Sequence, residues 1–332
     1  IIDAPDTKFN GFTPYRMSDG TYRYLINPAA TTSKNLSGSY TNATSATAEW
    51  EFKASVTAGQ YMRYVVDEAK VTEEKHILSI GDFFMKDGTL LGQNEKPTDV
   101  QQAACIGIVY WVGDITGDNY GLLNSKFPGR THGLVVSLWD VPDPADLNNV
   151  RMSWTYGDGG YEYVNAWLGN ATWTGDNSRP KDFSSIQVTD KMQGYANTIA
   201  LKEYNKYVEG KDGDGYGPEG NKRVKPVKGL DAFETAHPAP SNSSGWYWPS
   251  REELEYVCWG QGNGEGTTGK DMLNTQIGKV SGSNVFGNLY WSSTEYSHNR
   301  SNAWYVHFYG GRVDYSGGKH YHPYLVRPLL AF

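Results

Sequence analysis

The chain reads as an α+β protein, with a small all-β segment followed by a larger unit of two main helices packed on twisted antiparallel sheets. Three observations predict this. Two nearly continuous apolar runs, Cys105–Gly113 and His132–Asp140, are bounded by turn residues and have the length of buried strands. Ser250 and Glu253 stand in the S-x-x-E spacing of a capping box, which marks a helix start. Near the C-terminus, Trp304, Val306, Phe308 and Val313 recur with the period of a strand.

Composition narrows the class. Among 332 residues there are 24 Tyr, 11 Trp and 38 Gly, a profile of a folded, loop-rich chain with enough apolar material for a large core. The formal net charge of −7 gives no footprint for nucleic acid or for an anionic membrane surface, so neither is expected as a partner. No stretch is long and apolar enough to span a bilayer, and membrane insertion is not expected. The chain opens at Ile1 without a charged-then-apolar leader and reads as starting after processing or inside a longer protein. Cys105 and Cys258 lie in apolar surroundings and read as two buried thiols, with a disulfide as the alternative.

The first unit is placed at 1–72. Strands are predicted at 21–28, 48–56 and 61–67, and the Ser/Thr/Asn/Gly run at 31–45 reads as a long hairpin loop. The unit is short and reads as the end of a larger β-sandwich, with the charged segment Glu68–Lys75 as the boundary. The second unit is placed at 76–332. After its two buried strands, residues 151–175 show no period. A helix is predicted over 190–209, with Asp190 as N-cap and Met192, Tyr195, Ile199 and Tyr204 near helical spacing. Residues 210–229 read as a turn-rich loop. The helix begun by the capping box turns Leu254, Val257 and Cys258 inward, a second short helix is predicted at 269–280, and the terminal strands follow.

Two resemblances rest on these strings. G-T-Y-R-Y-L-I-N-P, S-G-S-Y-T-N and F-K-A-S-V-T-A-G-Q-Y-M-R-Y-V-V-D resemble the closing strands of a fimbrillin domain of Bacteroidales-type pili, over roughly the first fifth of the chain. In the remainder, W-Y-W-P-S-R-E-E-L-E-Y, L-Y-W-S-S-T-E, A-W-Y-V-H-F and V-R-P-L-L-A-F resemble, in that order, the C-type-lectin-like fold shared by formylglycine-generating enzymes and the variable proteins of diversity-generating retroelements. The second resemblance implies a fixed framework, carried by Trp291, Trp304, Val306, Phe308, Val313, Val326 and Arg327, and a ligand-binding face that can be varied. On this sequence that face falls on Tyr305, His307, Tyr309, Arg312, Asp314, Tyr315, His320, Tyr321, His322 and Tyr324. Tyr rings give much contact area at low rotamer cost, and the small polar residues around them adapt to a partner. The bland alternative is an ordinary Tyr-rich strand surface, since strands favour aromatics. Arg327 is expected to pair with a buried carboxylate, Glu253 or Glu295.

No enzyme is expected. A formylglycine-generating activity would need cysteines in the terminal strands, and residues 288–332 contain none. Nothing pairs two carboxylates across a cleft for glycoside hydrolysis: Glu252, Glu253 and Glu255 fall on one helix and Asp212 and Asp214 in a loop, and all read as solvated surface acids. Asp212-x-Asp214-Gly215 lacks the later ligands of a calcium loop. His307, His320 and His322, the last two read as sharing one side of a strand, have no acidic partner in the pattern and read as binding-face residues and not as a metal site. No cofactor is called for. The expectation is an extracellular adhesin on a bacterial surface or pilus, held by a lipid anchor or an upstream region, that binds a surface glycan or protein. The alternative is a structural pilus subunit whose terminal domain packs against other pilus subunits.

Overall fold

In the computed structural model, residues 1–76 are described as strand backbone only. From Ile77 onward backbone and side chains are described, apart from 116, 129–132, 158–163, 169–184 and 210–221 and the side chains of 118–120. The chain divides into Ile1–Leu78 and Ser79–Phe332.

The first unit holds antiparallel pairs. β1 (Tyr15–Arg16) pairs with β2 (Tyr22–Arg23), β3 (Thr32–Thr41) with β4 (Thr47–Val56), and β5 (Gln60–Val66) with β6 (Val71–Ile77). The run at 31–45 is therefore mainly a strand: Thr32–Thr41 is in register with Val56–Thr47 throughout, so cross-strand backbone hydrogen bonding overrides its loop-like composition. The segment expected to be a charged boundary is likewise largely strand β6, paired with β5 from Val71 to Ile77.

The second unit is built on a five-stranded antiparallel sheet. β7 (Phe83–Met85), β8 (Leu90–Leu91), β9 (Cys105–Val112), β10 (Gly133–Ser137) and β14 (Leu329–Ala331) lie in the order β14-β10-β9-β7-β8. A separate three-stranded sheet, in the order β11-β12-β13, is formed by β11 (Leu289–Glu295), β12 (Asn302–His307) and β13 (Arg312–Gly318). The helices are α1 (Asp99–Ala104), α2 (Asp118–Lys126), α3 (Val164–Leu168), α4 (Gly194–Glu209), α5 (Lys225–Ala236), α6 (Arg251–Trp259) and α7 (Thr268–Ile277). The core gathers Phe83, Ile108, Leu134 and Val136 from the large sheet, Leu254, Val257 and Cys258 from α6, Leu273 and Ile277 from α7, and Tyr290, Val306 and Phe308 from the small sheet. Cys105 and Cys258 are both buried and free, and burial pushes each thiol up to about 12.

The capping box forms as the S-x-x-E spacing predicts. Ser250 Oγ accepts the Glu253 N–H at 3.4 Å and the Glu253 carboxylate accepts the Ser250 N–H at 2.8 Å. Glu253 does more than cap its own helix. It also accepts the Gly194 N–H at 2.9 Å and the Tyr247 hydroxyl at 3.0 Å, so α4 starts at Gly194 and not after Asp190, which lies exposed four residues upstream. Met192, Tyr195 and Tyr204 are buried as their spacing predicts, and Ile199 is half-buried. The expected loop 210–229 ends early, because α5 begins at Lys225 with Pro226 in its first turn, where a missing N–H costs nothing. The Asp212–Asp214 pair lies outside the described residues. Glu253 and Glu255 are buried and not solvated surface acids.

Arg327 pairs with Asp140, 2.7 Å away, and not with Glu253 or Glu295. Its other N–H groups donate to the Ser137 and Asn284 carbonyls, and its guanidinium lies over the Phe286 ring. Glu295 is taken by Lys319 Nζ at 2.6 Å and by the backbone N–H groups of Val164 and Asn165. Both ion pairs are buried, where removing one partner strands the other charge. Asp140→Ala should therefore lower unfolding stability by about 3–5 kcal/mol in urea titrations, because it leaves Arg327 charged and unpaired in the core.

Candidate functional site

The terminal strands fold into a three-stranded meander with β12 at its centre and β13 at one edge. Gly310 and Gly311 turn β12 into β13; both N–H groups donate to the His307 carbonyl, and Gly311 sits at φ +73°, a conformation suited to glycine. Register pairs Tyr305 with Asp314, Val306 with Val313 and His307 with Arg312, then shifts between Ala303 and Tyr305. The shift is a bulge on β13, since Ala303 faces Gly317 while Tyr305 faces Asp314. Asp314 Oδ1 accepts the next two amides of that bulge, from Tyr315 at 2.7 Å and Ser316 at 2.9 Å.

The expected alternation of framework and binding residues along β12 fails. Val306 and Phe308 are buried, but so are Tyr305 at 5% exposure and His307 at 7%, while Trp304 is only half-buried. Both faces of the strand are covered. Behind it is the main core. In front, Trp291 packs edge-on against Tyr305 and on Tyr324, and its indole N–H donates to the Met152 carbonyl. This requires Gly317, whose Cβ would stand 2.5 Å from the Trp291 ring.

On that front face the structure brings together Tyr305, His307, Tyr309, Arg312, Asp314, His322 and Tyr324. Tyr305 meets Ser316 Oγ through its hydroxyl at 3.1 Å and lies 4.7 Å from the Tyr324 ring, on which His322 stacks. Burial and the neighbouring Tyr305 phenol push the Tyr324 hydroxyl well above the usual tyrosine range. His307 Nδ1 meets the Tyr309 hydroxyl at 2.7 Å, and its Nε2 faces Asp314 Oδ2 at 3.9 Å. Arg312 Nη2 donates to the same carboxylate oxygen at 3.3 Å.

Tyr315 does not join them. It stacks on Tyr296 with ring centres 4.2 Å apart, and both stand edge-on to Trp304, whose ring carries the Arg251 guanidinium at 4.4 Å. Tyr315 thus belongs to the face opposite Tyr305. His320 and Tyr321 lie in the turn after β13 with ring centres 3.6 Å apart, and His322 in the extended segment beyond it, so His320 and His322 do not share one side of a strand. Among the described residues no group of three or more His, Cys, Asp or Glu side chains could hold a metal ion. Arg251 joins this opposite-face cluster unforeseen from the sequence, because it reaches Trp304 only where α6 runs beside β12.

No protein-family model matches the sequence. A protein of Bacteroides ovatus named as a fimbrium tip subunit, Fim1C, is 27% identical over 256 residues, 71% of this chain. The crystal structure of a fimbrial protein from Bacteroides ovatus superposes with a TM-score of 0.55 over the whole chain at 21% identity. The chain spans 42% of the first of these proteins and 64% of the second. Among the described residues no helix is long and apolar enough to cross a membrane.

Burial lowers the His307 pKa below its ordinary 6.5, Arg312 lowers it further, and Asp314 opposes both. In a histidine NMR titration, Arg312→Ala should therefore raise the His307 midpoint and Asp314→Asn should lower it. Because the folded state resists this protonation, the stability His307 contributes is present above pH 6.5 and should fall as the pH drops below that value.

Proposed function

We propose that this chain is the ligand-recognising part of a pilus-associated adhesin of the bacterial surface, with Ser79–Phe332 forming a C-type-lectin-like module behind the end of a fimbrillin-like β-domain. The observation that carries this reading is the placement of exposed rings. Among the described residues, the exposed Tyr, Trp and Phe side chains are Tyr309, Tyr315 and Tyr321, 64%, 46% and 69% exposed, and all lie within the terminal strands and their turns. Such rings on a rigid sheet, beside His, Arg and Asp, have the make-up of a recognition surface. The similarity to proteins named as fimbrial supports the pilus setting. The retroelement resemblance extends the proposal: the Tyr, Ser, His, Asp, Arg and Asn of this surface are positions that can vary while Trp291, Val306, Phe308 and Arg327, all buried, hold the frame.

The names of the similar proteins also accommodate a second reading, in which the module packs against neighbouring pilus subunits and the exposed tyrosines are covered in the assembly. Concentration-dependent self-association of the purified chain on size-exclusion chromatography would favour it.

The replacement of Tyr309, Tyr315 and Tyr321 together by Ala tests the adhesin. The expected result is loss of binding to arrays of host and microbial glycans and surface proteins, with unfolding stability changed by no more than about 1 kcal/mol, as suits exposed positions. Retained binding would move the recognition surface elsewhere.

A further inference from the structure

On the side of β12 away from Tyr305, three neighbouring polar atoms are buried without a hydrogen bond: Trp304 Nε1, Arg251 Nε and Glu255 Oε1. Such atoms are rare singly, and a cluster of them calls for an explanation. Arg251 Nε and Glu255 Oε1 lie 2.6 Å apart yet out of hydrogen-bond alignment, so charge and not a directed bond joins them. The Arg251 guanidinium covers the Trp304 ring at 4.4 Å. Trp304 in turn stands edge-on to Tyr296 and to Tyr315, which stack on each other. Glu255 on α6 thus reaches an exposed ring on β13 through Arg251 and Trp304.

We infer that Arg251 and Glu255 are positioning residues for the Tyr296–Trp304–Tyr315 patch, clamping it while Glu255 is ionised and releasing it when Glu255 takes up a proton. Burial pushes the Glu255 carboxyl up to about 7; Arg251 opposes this and Glu252 adds to it. The clamp therefore holds above that pH and is lost below it. Once Glu255 is neutral, only the cation–π contact keeps the guanidinium over Trp304, and water competes for a side chain that is 23% exposed. Around α6 the other titratable groups are engaged elsewhere. Lys270 and Asp271 of α7 pair with each other, Tyr110 of β9 lies toward Glu253, Glu295 of β11 is taken by Lys319, and His307 of β12 faces Asp314 on the other side of the sheet. On α6 itself, Tyr256 lies beside Glu252 and Glu255. The bearing of the clamp on recognition rests on the adhesin reading, in which Tyr315 is one of the exposed rings.

The test is an NMR pH titration of the full chain labelled at tryptophan and tyrosine, with signals assigned through Trp304→Phe and Tyr315→Phe. In the native chain the Trp304 indole and Tyr315 ring signals should move together with a midpoint near 7. In Glu255→Gln, which keeps the shape and cannot ionise, both should stay at the native low-pH positions throughout. Should that variant not fold, Arg251→Met, which keeps the stem and removes the charge, should likewise abolish the shared titration. Signals that do not move through the neutral range overturn the clamp. So do signals that move alike in Glu255→Gln, a result that would assign the titration to His298, whose ring lies 5.4 Å from Tyr296. Binding to the glycan and protein arrays is compared about one pH unit above and below that midpoint. Capture that depends on the three tyrosines should weaken several-fold on the acid side in the native chain and be weak on both sides in Glu255→Gln. Equal capture on the two sides would refute a part for the clamp in recognition. No capture by the native chain on either side would refute the adhesin reading alone, since the shared titration reports the clamp without a ligand.

Discussion

At the junction of α4, α6 and residues 246–249, one carboxylate holds three pieces of chain. Glu253 takes the N–H of Ser250, the N–H of Gly194 and the hydroxyl of Tyr247, entirely out of water. Burial raises its pKa, opposed by these hydrogen bonds. The approach is so close that a Cβ on Gly194 would stand 2.6 Å from both Ser250 N and the Trp248 carbonyl oxygen. From this junction the order passes to the site. Trp248 donates its indole N–H to the Trp291 carbonyl and packs on Trp154, which donates to the Ser292 carbonyl, so β11 hangs from two buried indoles. The three-stranded sheet is placed by β11.

Two buried ion pairs complete the placement from the other end. Lys319–Glu295 ties the segment after β13 to β11 and to the start of α3, and Arg327–Asp140 ties its continuation to the chain just past β10. Between them lies Tyr324, whose ring flanks Tyr305, with His322 stacked on it. A surface held at both ends in this way loses little freedom when a partner arrives.

How much of this was legible depended on the range of the interactions. The Ser250–Glu253 box is local, spelled out in four residues, and it formed. The apolar runs at 105–113 and 132–140 also became strands, because continuous burial needs no knowledge of the partner. The start of α5 was hidden, since Lys225-Pro226 reads as a turn unless the proline is known to sit in a first turn. On β12 the periodicity separated Trp304, Val306 and Phe308 from Tyr305 and His307, but no period reveals that the second face is also covered by Trp291 and Tyr324. The same limit applied to Arg327: a buried cation promised a buried anion, yet Asp140 is 187 residues away and carries no local mark. Tyr309, Tyr315 and Tyr321 were legible as surface rings, and their division between two faces was not.

The bulge on β13 has a bearing on solubility. An edge strand that carries an exposed aromatic ring is also a template on which another chain could lengthen the sheet. Here two successive amides of that strand, those of Tyr315 and Ser316, are already satisfied by the carboxylate of Asp314, and the bulge breaks the regular spacing that an incoming strand would need. At the bulge the exposed ring projects as a side chain while two backbone donors are already occupied, which removes two of the hydrogen bonds an added strand would make.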